Sequence, residues 1–375
     1  MRRIEDRIWL MRLPAGLAVV CTLLFACQKE TGTPAPEVTI HLGIGVEDYT
    51  GQVATRALTE GFHAFGEGDD NVDEAVTKPS VRLYMTKADG TVKDGIFSHS
   101  NNYSWTSSMS VEPDIYYYVY GYMPSSAAYP SIAPNGDDYS TGATLTLNNL
   151  KTACADDVCV VVGVAKEEQK NFFDIRDPFT PISIGSYSYR PSGSDNFMYV
   201  LMDHIYTKMS IIFKVKGDDD YYYSLRGIKL KKVEMITNVG TVTVTVSSTG
   251  TPVTSYSAES GVSEETVQIF SSDDGVEITP SGLSIPAFFT PMNPNTEKTV
   301  TVKSVYDVYY RDHLTNALTT PVRENCTATN KLILRSTPAK PLSAGVKATF
   351  TATVEPTYLY VLGDPDLDNP TIKLE

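Results

Sequence analysis

Apolar and polar residues alternate along much of this chain, in segments that recur every ten to fifteen residues. Residues 38–46 (VTIHLGIGV) place Val38, Ile40, Leu42, Ile44 and Val46 on even positions, as a strand with one buried face requires. Residues 80–85 (SVRLYM) form a second such segment, and the following Lys87-Ala88-Asp89-Gly90 carries the Asp-Gly signal of a hairpin turn. Further strands are expected at 115–122, 143–147, 158–165, 210–216, 225–234, 241–247, 266–270, 299–310, 331–335, 348–354 and 357–362. Helical signals are few: 171–175 is long enough for one turn, 194–204 is ambiguous, and 177–194 with its prolines reads as a surface loop. The run Asp218-Asp219-Asp220 falls between two strands and belongs in a solvated turn. Short, regularly spaced strands with turn signals between them point to an all-β sandwich architecture.

The first residues follow another pattern. Arg2, Arg3, Arg7 and Arg12 precede an apolar stretch from residue 13 to 26, the length of a signal-peptide core and too short for a membrane-spanning helix. It ends in Leu24-Phe25-Ala26-Cys27, which resembles a bacterial lipobox. There, a small residue precedes the cysteine whose thiol is acylated and which becomes the new N-terminus. Phe25 is bulkier than usual for its position. Residues 28–36 are polar and contain Thr, Gly and Pro, as a tether should. Residues 1–26 are therefore read as a lipoprotein signal, with Cys27 the lipidation site.

About 348 residues remain after the signal, a length that suits two domains. A boundary near residue 205 divides them into units of comparable size, 57–205 and 206–375. Only 20% of residues are charged and 23 are Tyr, a composition that favours half-buried pleated surfaces. The net charge of −14 becomes about −16 without the signal's excess arginines, which argues against nucleic acid and anionic lipid surfaces as partners.

Candidate chemistry is sparse. Cys154 and Cys159 enclose four residues and are a candidate disulfide in an oxidising compartment, with buried thiols as the alternative. Their spacing is not that of a zinc or thioredoxin-like site and no His lies nearby in sequence, so no metal and no cofactor are expected. His41, His63, His99, His204 and His313 are scattered, and the nucleophile-elbow, His-Glu-x-x-His, phosphate-loop and dinucleotide patterns are missing. No catalytic residue is assigned and the chain is not read as an enzyme. Asp364, Asp366 and Asp368 alternate like a calcium loop, but Asn369 stands where Gly is needed and prolines intrude, so a solvated turn is preferred. Alternation at 115–122 sets Tyr116, Tyr118, Tyr120 and Tyr122 on one face and Ile115, Tyr117 and Val119 on the other, a stripe that suits core packing better than sugar stacking.

Three segments together resemble the fimbrillin-like proteins, the type V pilins of Bacteroides-type bacteria. About thirty residues after the lipobox stands Val53-Ala54-Thr55-Arg56-Ala57, similar to the site at which those precursors are cut. Val81-Arg82-Leu83-Tyr84-Met85 before Ala88-Asp89-Gly90 looks like the family's first strand of the mature N-terminal domain. The segment 203–213 (DHIYTKMSIIF) resembles its internal strand, and Leu342-Ser343-Ala344-Gly345 before a last alternating stretch also fits. The resemblance implies two tandem antiparallel β-sandwiches of transthyretin-like, Greek-key type. It further implies an outer-membrane lipoprotein precursor, held through Cys27, that an Arg-directed protease cuts between Arg56 and Ala57. Residues 27–56 would then carry the tether and a removable first strand, 38–46. The groove this opens would take a strand from the C-terminal stretch, 356–375, of another fimbrial subunit. Implied partners are other subunits and surface ligands of host or bacterial cells. The donor end departs from the pattern: 357–362 is a good strand, but 363–370 is turn-rich, which favours a tip or accessory subunit. The rival reading is a lipoprotein anchored permanently through Cys27, either a fimbrial anchor or a glycan-binding module using exposed Tyr or Trp105.

Overall fold

The computed structural model describes residues 36–49, 62–64, 79–101, 104–126, 129–165, 185–193, 196–215, 225–248, 252–258, 264–354 and 372–374. Contacts divide the chain after Glu37, and everything below concerns the unit Val38–Glu375. All its named elements are strands. Among the described residues no helix is long and apolar enough to cross a membrane.

Seven strands close into a ring. In order around it stand β6 (Tyr117–Met123), β3 (Val81–Thr86), β4 (Val92–Asn101), β5 (Ser104–Val111), β1 (Val38–Glu47), β11 (Phe197–His204) and β9 (Cys159–Val164), and β9 pairs back onto β6. Two short strands attach at the side, β2 (Phe62–Ala64) on β1 and β10 (Ser188–Tyr189) on β6. Every ring pair is antiparallel except β1–β11, which runs parallel with His41 opposite Phe197 and Val46 opposite Met202. The ring is filled by inward residues such as Ile40, Leu42, Ile44, Leu83, Trp105, Tyr117, Val119, Val161 and Met202.

One flank of the ring is covered by a second sheet, β15 (Val253–Ala258), β14 (Val239–Ser247), β8 (Gly142–Lys151) and β7 (Tyr129–Pro134), in that order. Leu145 and Leu147 of β8 and Val242, Val244 and Val246 of β14 meet the outward residues Tyr120, Tyr122, Val160, Val162 and Leu201 of the ring. Strands buried on both faces lose their alternation, and β9 accordingly reads CVVVGV with every residue buried.

A third core lies between two further sheets. One contains β12 (Thr207–Val215) flanked by β17 (Leu283–Ser284) and β18 (Phe288–Thr290), then β21 (Lys347–Val354) and β22 (Ile372–Leu374). The other runs β16 (Glu265–Glu277), β13 (Arg226–Thr237), β19 (Glu297–Arg311), β20 (Leu318–Arg335). Met209, Ile211, Phe213 and Val215 alternate inward from β12. In β13 a bulge between Leu230 and Lys232 switches the buried parity from Ile228 and Leu230 to Val233 and Met235.

The all-β expectation matches this architecture, but a sandwich of open antiparallel sheets does not describe the first half, where the sheet closes on itself. The ambiguous 194–204 stretch is strand β11, and part of the expected loop at 177–194 pairs as β10. The segments at 171–175, 218–220 and 357–362 lie outside the described residues.

Candidate functional site

β1 is the first strand of the ring in sequence, and it is seated from both sides. Its even residues Ile40, Leu42 and Ile44 are wholly buried in the ring. Its odd positions are small where β11 crowds them: a Cβ on Gly43 would meet the Tyr199 ring at 2.6 Å, so only glycine lets the two strands close here. Val38 to Leu42 pair with β5, while Gly45 to Glu47 pair with β2. Asn196 donates from Nδ2 to the Thr39 carbonyl at 2.6 Å, and the His41 amide donates to the Asn196 carbonyl at 3.0 Å.

A polar cluster closes the other end of β1. His204, the last residue of β11, sits opposite Cys159, the first residue of β9, as a cross-strand pair. Asp157 lies two residues before Cys159, and that spacing returns it to the same side. The His204 Nε2 lies 2.6 Å from the carbonyl oxygen of Glu47, the last residue of β1. On the other side of the imidazole, Nδ1 lies 2.6 Å from Asp157 Oδ2 and 3.3 Å from Cys159 Sγ. Tyr49 stacks on the imidazole at a centroid distance of 3.8 Å and donates its hydroxyl to Asp157 Oδ1 at 2.6 Å. Lys208 Nζ of β12 lies over the Tyr49 ring at 5.3 Å, and Phe289 of β18 lies tilted against it at 6.1 Å. The chain leaving β1 is thus held by β9, β11, β12 and β18 at once.

The electrostatics are those of a largely buried polar cluster. Burial by itself would raise the Asp157 carboxyl, but the His204 charge, with hydrogen bonds from His204 and Tyr49, holds it below the ordinary carboxylate value. Burial first, and the Asp157 charge next, push the Tyr49 phenol well above its usual range, so it remains a proton donor. Asp157 and Cys159 both approach the same imidazole nitrogen, and Cys159 is buried in the ring core. A proton relay needs nucleophile and carboxylate on opposite nitrogens, so this arrangement is not a catalytic triad.

The sequence-selected residues fall in different places. Cys27, Arg56 and Ala57 lie outside the described residues, as do Asp364, Asp366 and Asp368. Cys154 and Cys159 are not in a disulfide. Cys154 packs outside the ring, near the Asp156 and Phe289 carbonyls, whereas Cys159 points into it. Burial pushes the Cys154 thiol up to about 12, so it is unreactive. The tyrosine stripe packs as the alternation requires: Tyr118, Tyr120 and Tyr122 face the covering sheet and Tyr117 and Val119 fill the ring. Tyr116 is exposed and carries Arg190 over its ring at 5.5 Å. Trp105 is wholly buried and donates its indole N–H to the Pro79 carbonyl, so it offers no surface for a sugar. Sequence reasoning found no histidine near Cys159, because His204 is 45 residues away and reaches it only through the β9–β11 register.

Lys298 is a second polar centre that sequence reasoning missed. It lies in β19 beside a cavity of about 430 Å³, and burial lowers its amine to about 7. Its Nζ donates to the Thr152 carbonyl at 2.7 Å, Thr290 Oγ1 at 2.6 Å and the Pro291 carbonyl at 3.2 Å, and it lies 4.6 Å from the Tyr256 ring centroid. Three acceptors surround the amine, so Lys298 ties strands together rather than presenting a nucleophile.

No protein-family model matches the sequence, and no curated protein matches it. Solved structures similar to this chain are fimbrial and cell-adhesion proteins of Bacteroides-type bacteria. A fimbrial protein from Bacteroides vulgatus is 11% identical, covers 91% of this chain and 99% of its own, and has a TM-score of 0.37. The fimbrial anchor protein Mfa2 from Porphyromonas gingivalis is 9% identical over 89% of this chain and 96% of its own, with a TM-score of 0.28. At such scores the strands do not superpose closely, and roles must be argued from this chain's own residues.

Proposed function

We propose that this protein is a fimbrial structural subunit, exported as a lipoprotein precursor, freed by cleavage after Arg56 and assembled by strand exchange into surface fibres. The observation that carries this reading is the seat of β1. An N-terminal strand closes the wall of the ring and fills its core with its side chains, and the segment with Arg56 follows it in sequence. One cut there would separate β1 from every other ring strand while leaving their connections intact. Burial of Ile40, Leu42, Ile44 and Val46 stabilises by roughly 1.5–3 kcal/mol each, about 6–12 kcal/mol together. That rivals the whole stability of an ordinary domain, about 5–15 kcal/mol, so a ring without β1 needs a replacement strand. A strand from another subunit would restore both ladders and refill the core.

Under this reading residues 1–26 are the signal, 27–56 the tether and leaving strand, and 57–375 the mature body, in which β14 and β15 of its second half join β8 and β7 of its first. The protein works at the outer membrane, through lipidated Cys27 before processing, and in fimbriae afterwards. Its partners are other fimbrial subunits and surface ligands of cells. It acts by polymerising.

One observation favours the alternative of a fibre-ending or lipid-anchored subunit. β22 near the C-terminus pairs with this chain's own β21, Ala352 opposite Leu374 and Val354 opposite Ile372, which supports a tail that stays at home.

The test is the N-terminus and intact mass of the protein in fibres sheared from its host. A chain beginning at Ala57 without lipid supports cleavage-driven assembly. A chain beginning at acylated Cys27, found in the outer membrane and missing from fibres, overturns it in favour of the anchored reading.

A further inference from the structure

We infer that Asp157, Cys159 and His204 form a binding site for a divalent metal ion of borderline softness, Zn²⁺ being the best fit. The three ligands lie outside β1, but Glu47 and Tyr49, which orient them, belong to its segment, so the inference concerns the chain with β1 in place. A thiol, an imidazole nitrogen and a carboxylate oxygen converge on one point, within 4.8 Å of one another. This donor set is the one that selects zinc among common biological ions.

The edges of the donor triangle are 2.6 Å from Nδ1 to Oδ2, 3.3 Å from Nδ1 to Sγ and 3.8 Å from Oδ2 to Sγ. Tetrahedral zinc, with bonds of about 2.0–2.3 Å, places N and O ligands about 3.3 Å apart and S about 3.5–3.6 Å from either. The two edges to sulfur are within a few tenths of an ångström of that. The short edge is the distance across a shared proton, and an ion that displaces the proton opens it by about 0.7 Å.

The fold builds the site rather than crowding it by chance. Cys159 and His204 are directly opposed in the β9–β11 ladder, and Asp157 is two residues from Cys159. The outer partners are also in place. A metal-binding histidine normally gives its far N–H to a carbonyl or carboxylate, and here Nε2 faces the Glu47 carbonyl at 2.6 Å. The ligating carboxylate is held in the same way, by the Tyr49 hydroxyl on Oδ1. Asp157 is the least buried of the three, so the fourth position, for water, lies on its side.

Binding takes up one M²⁺ and releases two protons: the Cys159 thiol proton and the one between Nδ1 and Oδ2. No oxidant or further reactant is needed.

The experiment is a Co²⁺ titration of the full-length chain, stripped with chelator and kept reduced, with absorbance and proton release followed together and Zn²⁺ added last. The expected result is one Co²⁺ per chain, a near-ultraviolet thiolate-to-cobalt band, about two protons released, and loss of the band on adding Zn²⁺. Cys159→Ser should abolish the band, while Cys154→Ser and Cys326→Ser leave it unchanged. Should Cys159→Ser fail to fold, Asp157→Asn serves instead, with the band kept and affinity lowered by about 10–100-fold or more. No band in the unmutated protein, a band that survives Cys159→Ser, or unaltered affinity in Asp157→Asn would each overturn the assignment.

Discussion

β1 and β21 come from opposite ends of the described chain, and each runs parallel to a neighbour. β1 lies along β11 from His41 to Val46, and β21 lies along β12 from Lys347 to Val354. β11 and β12 are themselves consecutive, joined by Ile205 and Tyr206. The second edges of the two strands differ. That of β1 is taken by β5 and β2, and its side chains fill a closed ring. That of β21 meets β22 over Ala352 to Val354, with no other strand on that edge among the described residues. Beside β21 a groove of about 70 Å³, lined by Ile211, Phe213, Leu332 and Phe350, opens toward the core. A ladder alone does not make a strand indispensable; closure of both edges over a filled core does. Removing β1 opens the ring, whereas removing β22 uncovers a short edge.

The sharpest way to break this comparison is to charge the seat of β1. Ile44→Asp places a carboxylate in the ring core, where an unpaired charge costs several kcal/mol beyond the lost burial. The expected result is loss of the cooperative urea transition, or a midpoint shift equivalent to more than about 4 kcal/mol. The milder Ile44→Ala should cost about 2–5 kcal/mol. A change below about 1 kcal/mol would mean that β1 is only loosely part of the fold.

The latch at the end of β1 comes next. His204→Ala removes the partner of the Glu47 carbonyl and leaves the Asp157 carboxylate without its imidazole partner, which should cost about 3–5 kcal/mol. Its pH dependence has a definite sign. The folded Asp157 carboxyl lies below its ordinary value of 3.8, so its contribution is fully present above that value and is lost as the pH falls through the lower folded one. Asp157→Asn should therefore flatten the acid limb of the stability curve below about pH 4. An unchanged acid limb would assign that limb to other carboxylates.

Much of this comparison could be read in the sequence, for one reason. Strands with one buried and one open face alternate visibly, as β12 and β14 do, and β1 alternates in sequence because its second face is filled by glycines and polar residues. Other strands were hidden. β7 carries Pro130 and Pro134, which an edge position tolerates, and much of β20 is exposed around Pro321 on another edge. β4 and β5 present many polar residues and lack a clear period. Ring closure and the facing of His204 with Cys159 are products of long-range register, and no local pattern encodes them. The polar cluster therefore appears only once β9 lies beside β11, whereas the buried stripe of β1 shows in its own residues.

Gly43 sharpens the comparison at a single atom. Gly43→Val keeps β propensity and adds apolar surface, so propensity alone would make it neutral or stabilising. In the seat, its Cβ would meet the Tyr199 ring at 2.6 Å, and β1 or Tyr199 must shift. The expected cost is about 1–3 kcal/mol by chemical denaturation, and Tyr199→Ala in the same chain should recover part of it.

The smallest expected effect lies at the other end. A chain ending at Val354 loses β22 and its pairing with Ala352 to Val354, an edge contact of three residues beside a groove that is already open. Stability should fall by less than about 1 kcal/mol, since a short exposed edge strand adds little burial. The exposed β21 edge should instead show in association: the truncated chain, unlike the full one, should self-associate in sedimentation experiments as its concentration rises. A truncated chain that loses several kcal/mol would make β22 a true part of the third core. The two ends of the chain would then be held alike, and the contrast between a sealed seat and an open edge would fall.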